Sequence, residues 1–216
     1  MSADVSTEGS FAQVFTAALR GDDCQVIGLG DPPAPLPIGE WRREADAGDR
    51  AVLEQCVGST IDIGCGPGRM SRHLMEQGNS VLAIDVVDEA VQQARDRGVA
   101  ALCRNVFSVL PGEGRWETAL LADGNIGIGG DPVALLARAG ELIAPAGRVV
   151  VDLAGPGVGM VTRWATIRTA HATSHPFPWS IVGVDAVGGL AGEVGLSLLR
   201  THHHDRRWFA VLGKRG

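Results

Sequence analysis

The segment Asp62-Ile63-Gly64-Cys65-Gly66-Pro67-Gly68-Arg69 carries the clearest chemical signal in the chain. Glycines at alternate positions let a backbone turn sharply and approach a ligand closely. Three of them exceed what a strand-to-helix turn requires. The dinucleotide fingerprint G-x-G-x-x-G would need its third glycine at Arg69, and no Walker lysine follows, so a phosphate loop is excluded. Asp62, inside the preceding strand, would repel a pyrophosphate and suits a cationic group. Asp85 stands 17 residues beyond Gly68. A carboxylate there can accept from both ribose hydroxyls, a task it also performs in NAD enzymes. Asp85 thus supports an adenosine ligand. Asp62 and the glycine spacing favour one with a sulfonium and an ammonium, S-adenosylmethionine, over NAD.

Other residues suit proton handling. Asp123 opens the glycine-dense run Asp123 to Pro132, where Asp123 and Asn125 could face both ligand and acceptor. The plainer reading is a loop whose Asp131-Pro132 starts a helix. His171 and His175 join Asp123 as candidate general bases. For either histidine alone, a surface or satisfied core role is the commoner one. Trp41, Trp164 and Trp179 could wall an acceptor site, although tryptophan more often serves the core. His202-His203-His204 resembles a metal tract, but on a strand at most two of the three share a face. It reads as the polar end of a hairpin, and no metal site is expected.

These residues need elements to hold them. Apolar runs predict strands at Thr60 to Ile63, Val81 to Asp85, Ala100 to Cys103, Thr118 to Ala122 and Arg148 to Leu153. Between them lie helical segments at Met70 to Gln77, Glu89 to Asp96 and Pro132 to Ile143. A helix near Val184 to Val194 precedes two closing strands, Leu196 to Arg200 and Arg207 to Leu212, whose short link suits a hairpin. This alternation predicts an α/β, doubly wound, mostly parallel seven-stranded sheet with an antiparallel last strand. Residues 1–57 differ and are expected to form a short N-terminal lid on the ligand-binding domain at 58–216. Within the lid, Phe11 to Arg20 is helical and stopped by Gly21, and Gln25 to Leu29 suits a short strand. The proline-rich Asp31 to Pro37 is extended, and Asp49 is placed to cap a helix over Arg50 to Cys56.

Bulk properties narrow the class. With 216 residues, 45% hydrophobic, the chain can bury a core. A net charge of −6 disfavours nucleic acid and anionic membrane surfaces. Four cysteines without a C-x-x-C pair argue against zinc and fit a reducing compartment. Met1 to Val5 lacks the basic and apolar regions of a signal peptide, and no apolar run reaches 18 residues. A cytoplasmic protein, monomer or homodimer, is expected.

The block from Ser59 to Leu153 resembles the class I S-adenosylmethionine-dependent methyltransferases, of a bacterial small-molecule type. The resemblance rests on Ile61 to Gly68, on Val81 to Asp85, and on Leu142-Ile143-Ala144-Pro145-Ala146-Gly147-Arg148-Val149-Val150-Val151. It implies a Rossmann-like fold and S-adenosyl-L-methionine as cofactor. Asp62, Gly64, Cys65, Gly66 and Gly68 would hold the methionine end. Asp85 and Val86 would take the ribose side, Asn105 and Val106 the adenine, and Asp123 the reacting end. The implied reaction is methyl transfer to a small-molecule acceptor. A noncatalytic module binding the same ligand is the alternative, and an NAD-dependent oxidoreductase is more distant.

Overall fold

A computed structural model describes residues 7–215; the Met1 to Val5 segment lies outside them. The N-terminal part contains β1 (Thr7–Gly9), α1 (Phe11–Arg20), β2 (Gln25–Ile27), β3 (Ala34–Pro35), α2 (Ile38–Arg42) and α3 (Ala47–Leu53). The main unit follows with β4 (Thr60–Ile63), α4 (Arg69–Glu76), β5 (Val81–Asp85), α5 (Asp88–Asp96), β6 (Ala101–Cys103) and β7 (Trp116–Leu121). A 3-10 segment (Asn125–Gly130), α6 (Pro132–Leu142) and β8 (Ile143–Leu153) come next. Beyond these lie β9 (Met160–Arg168), β10 (Ala172–Ser174), β11 (Phe177–Val182), α7 (Val187–Glu193), β12 (Leu196–His204) and β13 (Arg207–Lys214).

Seven strands form the main sheet in the order β12-β13-β8-β7-β4-β5-β6. The strands from β4 to β8 run parallel, while β13 is antiparallel to both β8 and β12. The antiparallel last strand expected from the sequence is therefore present. All four residues of β4 are buried, as befits a central strand covered on both faces. From β4 the chain goes first to β5 and β6 on one side, then to β7 and β8 on the other. The order of winding reverses at β4, and crevices at such points bind ligands at the carboxyl ends of strands. The glycine loop emerges there.

The N-terminal strands join a second, smaller sheet. β1 pairs with β10, β2 with β3 and β9, and β11 with β9. Residues 160–182 thus contribute strands, which the sequence patterning does not reveal. Beneath this sheet Val14, Phe15, Ala18 and Leu19 of α1 pack with Val87 and Ala90 at the start of α5. One local expectation is corrected. Asp46, not Asp49, caps α3, and Asp49 is the third-position partner that returns the bond to the Asp46 amide at 3.0 Å. The reciprocal pair starts the helix three residues earlier than a cap at Asp49 would.

Candidate active site

The glycine loop is fixed by its own backbone. The Gly64 and Cys65 amides donate to the Ile84 carbonyl at 2.9 and 3.0 Å, which ties the loop to β5. Gly64, Gly66 and Gly68 have φ of +74°, +52° and +83°, a region that favours glycine. Their surroundings differ. A Cβ on Gly64 would lie 2.8 Å from Asn125 Nδ2, and one on Gly68 would lie 2.9 Å from Ala94 Cβ. Gly68 therefore provides the close helix approach that the dinucleotide fingerprint assigns to its third glycine, one position early. A Cβ on Gly66 would meet nothing within 4 Å. That glycine turns toward open space, where a ligand can come against the backbone.

Two aspartates support the loop in different ways. Asp85 Oδ2 accepts from the Gly66 amide at 3.0 Å and Oδ1 from the Val87 amide at 2.9 Å. Each oxygen retains capacity for a further donor, and Asp85 is half-buried. Burial raises its pKa, and the amides of Val87 and Gly66 oppose the rise. Asp62 is fully buried, and its Oδ2 accepts from Ser71 Oγ on α4 at 2.6 Å. Burial pushes the Asp62 carboxyl up to about 7 against that bond. The side chain lies behind the loop and joins β4 to α4.

Exposed apolar side chains follow the two strands beyond β4 in the sheet. Val86, after β5, is 55% exposed and Phe107, after β6, is 50% exposed. Asn105 is exposed, and its Oδ1 accepts from the Phe107 amide at 2.9 Å. Val106 is buried, and its carbonyl accepts from Arg138 Nε at 2.9 Å.

Asp123 follows β7 with φ +51°. Its Oδ2 accepts from Arg69 Nη2 at 2.5 Å and its Oδ1 from Arg207 Nη2 at 2.9 Å. Arg207 also pairs with Asp152 and Asp49, and Asp49 with Arg69 and with Arg43. The Asp123 amide donates to Asp152 Oδ2 at 2.7 Å. This ionic frame unites α3, the first residue of α4, the ends of β7 and β8, and the start of β13. Burial alone would raise the Asp49 carboxyl, but Arg69, the Asp46 amide and Arg43 hold it well below the usual carboxylate range. A cavity of about 410 Å³ opens on the frame at Asp123, Asp152 and Arg207. A larger one, about 630 Å³, lies between α1, β2 and the end of β9 and contains none of the glycine-loop residues.

The structure thus brings together Asp62, Gly64 to Gly68, Asp85 and Val86, with Asn125 bonded to the loop and Asp123 tied to Arg69. His171 lies in the β9–β10 turn and His175 between β10 and β11, both exposed. Among the described residues neither makes a hydrogen bond or ring contact with the glycine loop, Asp85 or Asp123; the His175 amide donates to the Gly9 carbonyl. Trp41 packs 5.9 Å from Phe15, and Trp164 is 68% exposed. The indole of Trp179 lies against Gly127. His202 and His203 stack on Phe209 and Trp208 across the β12–β13 hairpin, and no metal-binding cluster occurs among the described residues. The sequence pattern does not mark Ser71, Arg69, Asp49, Asp152 and Arg207 as candidates for the site. Only Arg69 carried a signal, through its place beside the loop.

Residues 61–147 match a family model described as a methyltransferase domain. A malonyl-[acyl-carrier protein] O-methyltransferase of Salmonella typhimurium is 55% identical over 59 residues, which are 27% of this chain and 24% of that protein. A tabtoxin biosynthesis enzyme of Pseudomonas amygdali pv. tabaci is 40% identical over 67 residues, 31% of this chain and 27% of the relative. The chain therefore matches about a quarter of the length of these curated relatives. Over its whole length it superposes on a SAM-dependent methyltransferase of Bacteroides fragilis, solved with S-adenosyl-L-homocysteine. The TM-score is 0.80 and the identity 18%, with 100% of this chain and 98% of the other covered. The Burkholderia thailandensis 1,6-didemethyltoxoflavin-N1-methyltransferase gives a TM-score of 0.59 at 19% identity, covering 79% of each chain. The domain model thus matches the part of the chain that holds the glycine loop, and the whole chain has the fold of the Bacteroides fragilis SAM-dependent methyltransferase.

Proposed function

We propose that this protein transfers a methyl group from S-adenosylmethionine to a small-molecule acceptor. The observation that carries the reading is Gly66. It holds a left-handed backbone, faces open space, and is anchored through its amide to Asp85. The residues fit the cofactor. The loop backbone of Gly64, Cys65, Gly66 and Gly68 would receive the methionine end, with Asp62 shaping it from behind. Asp85 would take the ribose hydroxyls, and Val86, Phe107, Asn105 and Val106 would border the adenine. The bound cofactor supplies an electrophilic methyl group for in-line displacement. The protein's own part is alignment, which can contribute about 7–11 kcal/mol. Asp123, His171 and His175 are the candidates for taking a proton from the acceptor, worth about 10²–10⁴-fold where one must leave.

Support for a small acceptor comes from the Burkholderia neighbour, solved with bound 1,6-didemethyltoxoflavin. The N-terminal segment and residues 160–182, one sheet in the structure, would form the lid on that acceptor. We place the protein in a bacterial cytoplasm, as monomer or homodimer. All four cysteines are free, and no helix among the described residues is long and apolar enough to cross a membrane. The test is calorimetric binding of S-adenosylhomocysteine, followed by a screen for its formation from S-adenosylmethionine with small acceptors. Saturable binding with turnover is expected. Stabilisation by NAD and none by S-adenosylmethionine in a melting assay would overturn the reading.

A further inference from the structure

The 3-10 segment Asn125–Gly130 touches the glycine loop at one end and the β9–β11 hairpin at the other. Asn125 Nδ2 donates to the Ile63 carbonyl at 2.9 Å and to the Gly64 carbonyl at 2.8 Å. At the far end the Gly130 carbonyl accepts from Ser180 Oγ at 3.0 Å and from Thr162 Oγ1 at 3.3 Å, and the two hydroxyls lie 2.7 Å apart. The segment kinks at Ile128 and Gly129, whose backbone is not helical, but it is pinned on either side of the kink. A Cβ on Gly127 would lie 2.6 Å from Trp179 Nε1, and one on Gly130 would lie 2.5 Å from Pro178 Cβ. Ile126 is buried in the main core. Two of the segment's glycines are thus explained by close approach to the hairpin, and Gly64 by close approach to Asn125.

We propose that Thr162 and Ser180 are positioning residues for the cofactor loop, acting through the Gly130 carbonyl and Asn125. Neither side chain bonds to a glycine-loop residue in the structure; their effect passes along the segment. The inference rests on the proposed cofactor reading and extends it. The hairpin and the loop share one bracket, so whatever shifts the hairpin changes cofactor affinity. By linkage the cofactor then changes the affinity of whatever binds the hairpin, by the same factor.

The test measures S-adenosylhomocysteine affinity by calorimetry. The double variant Thr162→Val with Ser180→Ala removes both hydroxyls and is expected to bind at least fivefold more weakly. Thr162→Ser keeps its hydroxyl and is expected to bind within twofold of wild type. Asn125→Ala is expected to weaken binding at least as much as the double variant. Adding it to the double variant should cost less than the product of the two losses, because both act on one path. Wild-type affinity in the hairpin variant, or losses that simply multiply, would overturn the inference. Thr162→Val alone, at an exposed position, is the fallback if the double variant does not fold; unchanged affinity there also counts against it. Failure of the wild-type protein to bind S-adenosylhomocysteine would instead remove the cofactor reading, and the inference with it.

Discussion

Arg207 Nη2 lies 2.9 Å from Asp123 Oδ1, although 84 residues separate them. The same guanidinium meets Asp152 and the fully buried Asp49. One arginine at the start of the last strand therefore orders three carboxylates at the carboxyl edge of the sheet. Arg207 is itself largely buried, and its attraction to Asp152, Asp123 and Asp49 outweighs the burial that would lower its pKa.

Arg207→Gln is expected to destabilise the fold by about 3–5 kcal/mol, the usual cost of removing one partner from a buried ion pair. Arg207→Lys should recover only part of this, because a single ammonium cannot reproduce the forked contacts to Asp152 and Asp123. Urea denaturation at neutral pH measures both. A Gln variant within 1 kcal/mol of wild type would show that solvent already screens the frame.

Asp85→Ala is expected to weaken S-adenosylhomocysteine binding at least tenfold, about 1.4 kcal/mol, in a protein that stays folded. The structure adds a second reason to expect that loss. Asp85 also receives the Gly66 amide, so its loss loosens the loop. Asp85→Asn keeps an acceptor oxygen and should fall between Ala and wild type. Calorimetric affinities in that order support the dual role, whereas equal losses in Asn and Ala would tie binding to the charge alone.

Much of the fold around the candidate site is legible from local pattern. The parallel strands β4, β5 and β7 read as apolar runs because helices cover both faces of the sheet. The glycine loop announced itself because positive φ demands a residue type. The small sheet did not. β9 mixes exposed Thr162, Arg163 and Trp164 with buried Ala165, and β11 contains Pro178, so neither has a clean alternation. The ionic frame was equally hidden. Asp49 and Arg207 meet across 158 residues, and nothing around Asp49 distinguishes a buried hub from a helix cap. Its capping geometry and its charge pairing use the same carboxylate.

Asp62 makes stability depend on pH. Its carboxyl is raised by burial to about 7 in the folded state, against about 3.9 in an unfolded chain. The folded state binds the proton more tightly, so this group favours folding at low pH. Its stabilisation is lost as pH rises from about 4 to about 7 and stays lost above. Asp49 acts in the opposite sense, since its depressed pKa makes its contribution vanish as pH falls below the carboxylate range. Asp62→Asn retains an acceptor for Ser71 and removes the titration. Its melting temperature relative to wild type should therefore climb between pH 5 and pH 8. A constant difference across that window would mean that Asp62 titrates normally.

Gly66 and Gly68 separate the binding role of the loop from its packing role. Alanine at either position meets a left-handed backbone, with strain of about 1–3 kcal/mol. At Gly68 the new methyl also lies 2.9 Å from Ala94 Cβ and 3.1 Å from its Cα, so overpacking adds about 1–3 kcal/mol. At Gly66 the methyl meets no protein atom within 4 Å and would occupy the space proposed for the cofactor. Gly68→Ala should therefore lose more stability than Gly66→Ala. Gly66→Ala should lose S-adenosylhomocysteine affinity by at least tenfold while its melting temperature falls less. Chemical denaturation and calorimetric binding on the two variants resolve the pair. Wild-type affinity in Gly66→Ala would mean that the open space beside this glycine does not belong to the cofactor.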